Sequence, residues 1–272
     1  MHYLTKHQTE TGERWAADGS FLPADFNLKK LLALSSKELN QYLPAAKTAE
    51  AADGALLAPI ESDQEVWACG VTYSRSRDAR EAETDVKNVY DKVYAAERPE
   101  LFFKAIGWRV RGNRSPVRIR KDSEWNVPEP ELTLVVNRTG EIVGYCAGND
   151  MSSRSIEGEN PLYLPQAKIY DGSCALGPGI LMTGPDMLRD LPIQLVIRRT
   201  GKTVFEGSVR SSGMKRSPEI LVSCLIREMT FPHGVFLLTG TGIVPPETFT
   251  LLAGDRVVIS VGSLTLENHV EG

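Results

Sequence analysis

The chain has 272 residues, 42% hydrophobic and 24% charged, with 31 basic and 35 acidic side chains for a formal net charge of -4. That length admits one large domain or a small N-terminal piece beside a larger core, and the composition excludes a disordered or fibrous chain. Basic and acidic residues are mixed along the sequence, so no global field favours nucleic acid or a membrane surface, and the expected partner is a small molecule.

The N-terminus, "MHYLTKHQTETGERWAADGS", has no apolar core of a leader peptide, and no later apolar run approaches the roughly 18 residues of a membrane span. Cys69, Cys146, Cys174 and Cys224 lack C-x-x-C spacing and read as buried, reduced thiols of a cytoplasmic protein. Residues 1–62 are expected to form a small N-terminal domain, with one helix over "SSKELNQYL" capped by Ser35 or Ser36 and stopped by Pro44, then an alanine-rich linker. The catalytic domain is expected over 63–272, opening with a buried strand in "EVWACGVTYS" that ends near Thr72.

A helix is predicted over 76–98, where Val86, Val89, Tyr90, Val93 and Tyr94 recur at three-and-four spacing until Pro99. Hairpins follow in "LTLVVNRTGEIVGYC", "IQLVIRRTGKTVFEGSV" and "RVVISVGSLTLENHV", each with two β-rich runs around a glycine-containing turn. A last helix starts at Ser217 as cap and Pro218 as first residue, with Ile220, Leu221, Cys224 and Leu225 expected on one side. The fold class is therefore α+β, mainly antiparallel β.

Chemistry concentrates in "WNVPEPELTLVVN", where Glu129 and Glu131 point to the same side of an extended chain and repel unless solvent, an arginine or a metal ion lies between them. Taken alone, an E-x-E pair on a strand is most often a solvated face. The returning strand of the first hairpin ends at Asp150, which can join the pair and make an all-oxygen site suited to Mg²⁺, Mn²⁺ or Ca²⁺. The histidines, His2, His7, His233 and His269, are scattered, which argues against a histidine-based transition-metal site. Lys168 stands among apolar neighbours in "LPQAKIYDGSCALGP"; near a cation it could serve as a base, or it could simply pair with an acid. The basic stretch "RVRGNRSPVRIRK" lacks flanking aromatics and reads as a solvated strand that adds some attraction for an anionic substrate.

The ordered motifs PEPEL, GYCAGNDMSSRS, LPQAKIYDGSCALGP, TGTGIVP and LLAGD resemble the fumarylacetoacetate hydrolase family over roughly residues 63–272. The resemblance implies metal ligands at Glu129, Glu131 and Asp150, an active-site lysine at Lys168 and a substrate-holding threonine at Thr241. It also implies the family's mixed β-sandwich roll, a divalent cofactor (Mg²⁺, with Mn²⁺ or Ca²⁺ as alternatives) that chelates a 2-oxo acid, and a homodimer or homotetramer.

One departure redirects the expected reaction. The family's carbon–carbon hydrolases carry a water-activating histidine and glutamate after the first strand, whereas this chain reads "GVTYSRSRDAREAE" there. The stretches "RPELFFKA", "SEWNVPEPEL" and "SRSIEGENPLYLPQAKIY" look most like the sugar-acid dehydratase branch, which implies an acid/base glutamate at Glu100. The expected activity is metal-dependent dehydration of a 2-keto-3-deoxypentonate, such as the arabinonate, to 2-oxoglutarate semialdehyde through a stabilised enolate. Lys168 or Glu100 is expected to take the C3 proton, and Ser74 and Arg75 are candidates for holding the substrate. The rivals are hydrolysis of an acylpyruvate or other 2,4-diketo acid, decarboxylation or tautomerisation of oxaloacetate, and a sugar-acid-binding protein without turnover.

Overall fold

The computed structural model describes residues 1–83 and 89–272. In chain order its longer strands are His2–Thr9 (β1), Gly12–Ala17 (β2), Glu65–Gly70 (β3), Glu100–Ile106 (β4), Pro130–Val136 (β5), Ile142–Asp150 (β6), Cys174–Met182 (β7), Pro192–Arg199 (β8), Lys202–Arg210 (β9), Val235–Leu238 (β10), Arg256–Val261 (β11) and Leu264–Glu271 (β12). The helices are Leu28–Leu32 (α1), Ser36–Ala46 (α2), Ser74–Glu83 (α3), Val89–Ala95 (α4), Arg154–Glu159 (α5), Leu164–Lys168 (α6) and Pro218–Leu225 (α7). Among the described residues no helix is long and apolar enough to cross a membrane.

The three hairpins expected from alternation and turn glycines are present as β5–β6, β8–β9 and β11–β12. Gly140, Gly201 and Gly262 each take a positive φ in the connecting turn, which glycine adopts without a Cβ clash. The main sheet runs β2-β1-β7-β6-β5-β10-β3-β4; all of these neighbours are antiparallel except β10 and β3. A second sheet, antiparallel over β9-β8-β11-β12, ends on the short strand Val117–Arg118, which runs parallel to β12. Ile193, Leu195 and Ile197 of β8 and Val257, Ile259 and Val261 of β11 are buried at alternate positions, so one face of this sheet closes over the main sheet. Every residue of β5 and β6 is buried, because both faces of these central strands are covered. The chemistry-bearing ends of β5 and β6 thus start from the most solvent-excluded part of the molecule.

The first 62 residues contribute to this same architecture, since β1 pairs with β7 from His2 opposite Met182 to Leu4 opposite Ile180. The alanine-rich segment is hydrogen-bonded to the strands before it, with Phe21 N donating to Glu50 O at 2.8 Å and Ala52 N to Gly19 O at 2.9 Å.

Three local expectations change. Helix α2 has a full capping box between Ser35 and Glu38, but it continues through Pro44 to Ala46. The N–H that Pro44 lacks would have met the carbonyl of Asn40, and both residues are on the exposed side, where the loss of that bond costs least. The single helix expected over 76–98 is two helices, α3 and α4, and Val86 of its apolar stripe lies outside the described residues. Helix α7 is capped by Ser217 as expected, yet it buries Pro218, Leu221, Val222 and Leu225 at helical spacing and leaves Ile220 48% exposed.

The β5–β6 turn is tied to α2 through Glu141, whose carboxylate accepts from Ser36 N at 2.9 Å, Asn137 Nδ2 at 2.7 Å and Ser36 Oγ at 2.8 Å. These bonds hold the carboxyl down to about 2, from an ordinary value of 4.5. A depressed folded-state value means the stabilisation is present above about pH 4.5 and disappears as pH falls towards 2. Because the group is half-exposed, Glu141→Gln should cost only about 1 kcal/mol at pH 7. Urea unfolding should show that difference at pH 7 and a vanishing one near pH 2.

Candidate metal centre

The carboxylates owe their placement to the β5–β6 ladder. Glu129 and Asp150 exchange both backbone hydrogen bonds, N to O, at 3.2 and 3.0 Å, so their side chains emerge on the same face. Glu131, two residues on, shares that face. Between them Pro130 stands opposite Asn149 in the pair that needs no N–H from the proline, which explains how a proline is tolerated at the start of a central strand. Gly148, opposite Glu131, leaves the face open; a Cβ there would lie 2.2 Å from Thr133 Oγ1. Ligand oxygens of Glu129, Glu131 and Asp150 all lie within 4.8 Å of one another, and all three residues are buried.

Three buried cations meet this cluster. Lys168, the last residue of α6, donates to Ser152 Oγ at 2.6 Å, Glu129 Oε2 at 2.8 Å and Asp150 Oδ2 at 3.1 Å. Those three bonds use every hydrogen of an ammonium. Lys104 of β4 is fully buried, ion-pairs with Asp150 Oδ1 and donates to the Met151 carbonyl at 3.0 Å. Arg154, at the start of α5, places Nη2 3.0 Å from Glu129 Oε1.

Glu131 is treated differently. Its Oε2 accepts a 2.6 Å hydrogen bond from Gly240 N, and its carboxyl is held well above the usual range by burial and by Asp150 and Glu129. Among the described residues Glu129 and Asp150 each have two cations in contact and Glu131 has none, so the pressure for a proton or a further positive charge falls on Glu131. Hard, buried oxygens converging on one point, one of them uncompensated, fit a divalent ion such as Mg²⁺.

Glu100, Glu129, Asp150, Glu157, Lys168 and Thr241 line one cavity of about 10 Å³, room for about a single water or ion. Glu100 is the cross-strand partner of Gly70, and its carboxyl lies flat over that glycine: a Cβ on residue 70 would be 1.9 Å from Glu100 Oε2. Thr241 reaches the cavity from the turn after β10, where Gly240 has φ +89°, and its hydroxyl is bonded to the amide of Ile243 at 3.1 Å. Ser74 and Arg75 are exposed at the start of α3, and the residue of that turn that lines the cavity is Ser76. None of the histidines lines it.

Sequence reasoning missed Lys104, Arg154 and Glu157. The available signals were a lysine between apolar neighbours in "FFKAI" and an i,i+3 pair, Arg154 and Glu157, after the capping residue Ser153. Cys69, Cys146 and Cys174 are buried as expected, and burial pushes their thiols up, away from nucleophilic chemistry. A larger cavity of about 510 Å³, between α2, α7 and the β5–β6 turn, contains Glu141, already held by Ser36 and Asn137.

Residues 66–271 match the family model described as fumarylacetoacetate (FAA) hydrolase C-terminal, and the chain belongs to that family. It is 47% identical, over 78% of its length and 73% of the other, to a Haloferax volcanii protein named "Probable 2-keto-3-deoxyxylonate dehydratase". It is 41% identical, over 82% of its length and 76% of the other, to the 2-dehydro-3-deoxy-D-arabinonate dehydratase of Saccharolobus solfataricus. Among solved structures, 2-keto-3-deoxy-D-arabinonate dehydratase complexed with magnesium and 2,5-dioxopentanoate superposes with a TM-score of 0.84 at 34% identity, covering 99% of this chain and 98% of that one.

The charge imbalance at Glu131 has a measurable consequence without any ligand. A raised folded-state value means the favourable contribution is complete below about pH 4.5 and is lost as pH rises through the folded value. In EDTA, wild type should therefore lose stability from about pH 4.5 upward, and Glu131→Gln should abolish most of that slope. At pH 7 the metal-free variant should be more stable than metal-free wild type by about 1–3 kcal/mol in urea unfolding.

Proposed function

We propose that this chain is a divalent-metal-dependent hydro-lyase that dehydrates a 2-keto-3-deoxypentonate, of the arabinonate type, to 2-oxoglutarate semialdehyde, which is 2,5-dioxopentanoate. The observation that carries this reading is a cavity lined by Glu129 and Asp150, two of the three clustered metal-type carboxylates, and by a separate carboxyl, Glu100, with no histidine among its described lining residues. The relatives named as pentonate dehydratases support it at 41–47% identity.

Glu129, Glu131 and Asp150 would hold Mg²⁺, with Mn²⁺ or Ca²⁺ suited to the same oxygens. Bound there, the ion supplies Lewis acidity that offsets negative charge on the 2-oxo acid oxygens. Arg154 and Lys104 hold Glu129 and Asp150 in place from outside the ligand face. Lys168 faces the cavity as a three-fold donor, so its contribution is to orient and neutralise carboxylates or substrate oxygens. That leaves Glu100 as the group that takes the C3 proton, held at the cavity wall by the space that Gly70 provides. Thr241 and Gly240 also line the cavity, and the Gly240 amide holds Glu131. Ser74 and Arg75 take no part in this reading. Free cysteines support a reducing, cytoplasmic setting, and a homodimer or homotetramer completes the proposal.

With Mg²⁺ and 2-keto-3-deoxyarabinonate, purified protein should form 2,5-dioxopentanoate, detected as aldehyde and by NMR. EDTA should abolish turnover. Borohydride added with substrate should leave the protein mass unchanged, whereas a reduced adduct would indicate a Lys168 Schiff base. Pyruvate release from acylpyruvates without dehydration would favour the hydrolase rival, and binding without any turnover would favour a sugar-acid-binding protein.

Gly70 gives a test of geometry alone. Its φ is not in the left-handed region and the atom in the way is the far end of the Glu100 side chain, so Gly70→Ala should fold normally while moving that carboxyl. A displacement of this size should lower kcat by roughly 10–100-fold. Unchanged Mg²⁺ affinity by calorimetry would place the effect on Glu100.

A further inference from the structure

Val71, which lines the cavity directly after Gly70, takes φ +52°. A β-branched residue is a rare occupant of that left-handed region, because its Cβ crowds the following carbonyl, and glycine enters the region without that clash. Among the described residues the other non-glycines with positive φ, Asp18, Arg114 and Thr200, are all exposed, whereas Val71 is 6% exposed.

The backbone conformation is imposed from both sides. Gly70 is held in the β3–β4 ladder opposite Glu100. Thr72 is pinned twice, its hydroxyl donating to the Thr239 carbonyl at 2.7 Å and its own carbonyl accepting from Lys215 N at 2.9 Å. These anchors bring Thr72 against Gly240, whose amide holds Glu131; a Cβ on residue 240 would lie 2.1 Å from Thr72 Oγ1. None of them asks for a side chain on residue 71. Nor does the hydrophobic core: Cys69, two residues earlier, belongs to the continuous apolar cluster, and Val71 does not. A strained, buried residue that neither the turn nor the core requires is explained by what it borders, which is the cavity.

The substrate of the dehydratase reading has one carbon that suits an apolar neighbour. In a 2-keto-3-deoxypentonate C1, C2, C4 and C5 each bear oxygen, and C3 is a bare methylene. C3 is also the carbon whose proton goes to Glu100, the carboxyl that lies over Gly70. We propose that Val71 is a specificity-determining residue whose isopropyl group forms the apolar wall beside Glu100, accepting the C3 methylene and rejecting a hydroxyl on C3; this rests on the dehydratase reading above. Phe102, two residues from Glu100 on the same face of β4, and Leu164 continue that wall. A C3 hydroxyl pressed against these groups gives up its water without gaining a hydrogen-bond partner. The site thereby selects the 3-deoxy acid over the 2-ketopentonate that keeps its C3 oxygen.

The test compares wild type with Val71→Thr, Val71→Ala and Val71→Gly in Mg²⁺, by kinetics on 2-keto-3-deoxyarabinonate and competitive inhibition by both C3 epimers of the matching 2-ketopentonate. In wild type Ki should exceed KM by roughly 10²-fold for at least one epimer, the discrimination an apolar pocket gives against an added hydroxyl. Val71→Thr keeps the branching of valine, which Thr200 shows this chain accepts at a similar φ, and offers the C3 hydroxyl a partner. It should reduce the ratio of Ki to KM about tenfold, as should Val71→Gly by opening the wall. In urea unfolding the midpoint of Val71→Gly should lie at or above that of Val71→Ala, the reverse of the order in an ordinary strand, because glycine relieves the left-handed strain. The threonine variant carries the ratio test should the smaller ones fail to fold. A wild-type ratio near one for both epimers, a ratio within three-fold of wild type in the variants, or a Val71→Gly midpoint below Val71→Ala would overturn the assignment. Wild type without turnover on the pentonate would instead overturn the dehydratase reading, and this assignment with it.

Discussion

Three carboxylates buried on one face of two neighbouring strands, with cation contacts among the described residues on only two of them, set the terms for the rest of this molecule. Burying a carboxylate costs several kcal/mol unless a positive partner or a proton comes with it. Glu129 and Asp150 have partners supplied by α5, α6 and β4, and those partners are themselves fixed by the fold. Glu131 has one backbone amide. A sequence selected for stability alone would not keep that residue charged in a closed interior, and the natural remedy is a bound cation.

The fold answers that constraint by delivering each charge from a rigid element. The β5–β6 ladder fixes Glu129 against Asp150, and the turn after β10 brings the Gly240 amide to Glu131. Lys104 does two jobs, since its ammonium pairs with Asp150 and also donates to the Lys168 carbonyl at 2.5 Å, tying the end of α6 to the sheet. Removing one member of such a buried set leaves the others uncompensated, at a cost of about 3–5 kcal/mol. The side chains that hold the ligands are therefore as deeply built in as the ligands.

How much of this could be read from the amino-acid order depends on whether the signal is local. The hairpins were legible because a period of two and a turn glycine are properties of adjacent residues, and Gly140, Gly201 and Gly262 stand where the backbone needs them. The Ser35 and Ser217 caps were legible for the same reason. The metal-type carboxylates were suggested by spacing and sharpened by family resemblance. Lys104 was not singled out, because one lysine in a strand reads as its solvent face until Asp150, Met151 and the end of α6 are known to cover it. Arg154 and Glu157 were missed for a related reason: a charged i,i+3 pair on a short helix resembles a surface ion pair, and only the packing of α5 beside α6 and the short strand Asn126–Val127 turns it inward. Ile220 erred the other way, its position on α7 facing solvent despite an apolar side chain.

The same geometry separates two tasks that the sequence left merged in Lys168. With every ammonium hydrogen donated, that lysine organises charge, and proton traffic passes to Glu100 on the cavity wall. The most direct measurement is anomalous diffraction from crystals of this protein equilibrated with Mn²⁺. A single peak per chain bonded to oxygens of Glu129, Glu131 and Asp150 is expected. Full occupancy of Mn²⁺ elsewhere, with Glu131 left outside the coordination sphere, would contradict the assignment of this cluster as the metal centre.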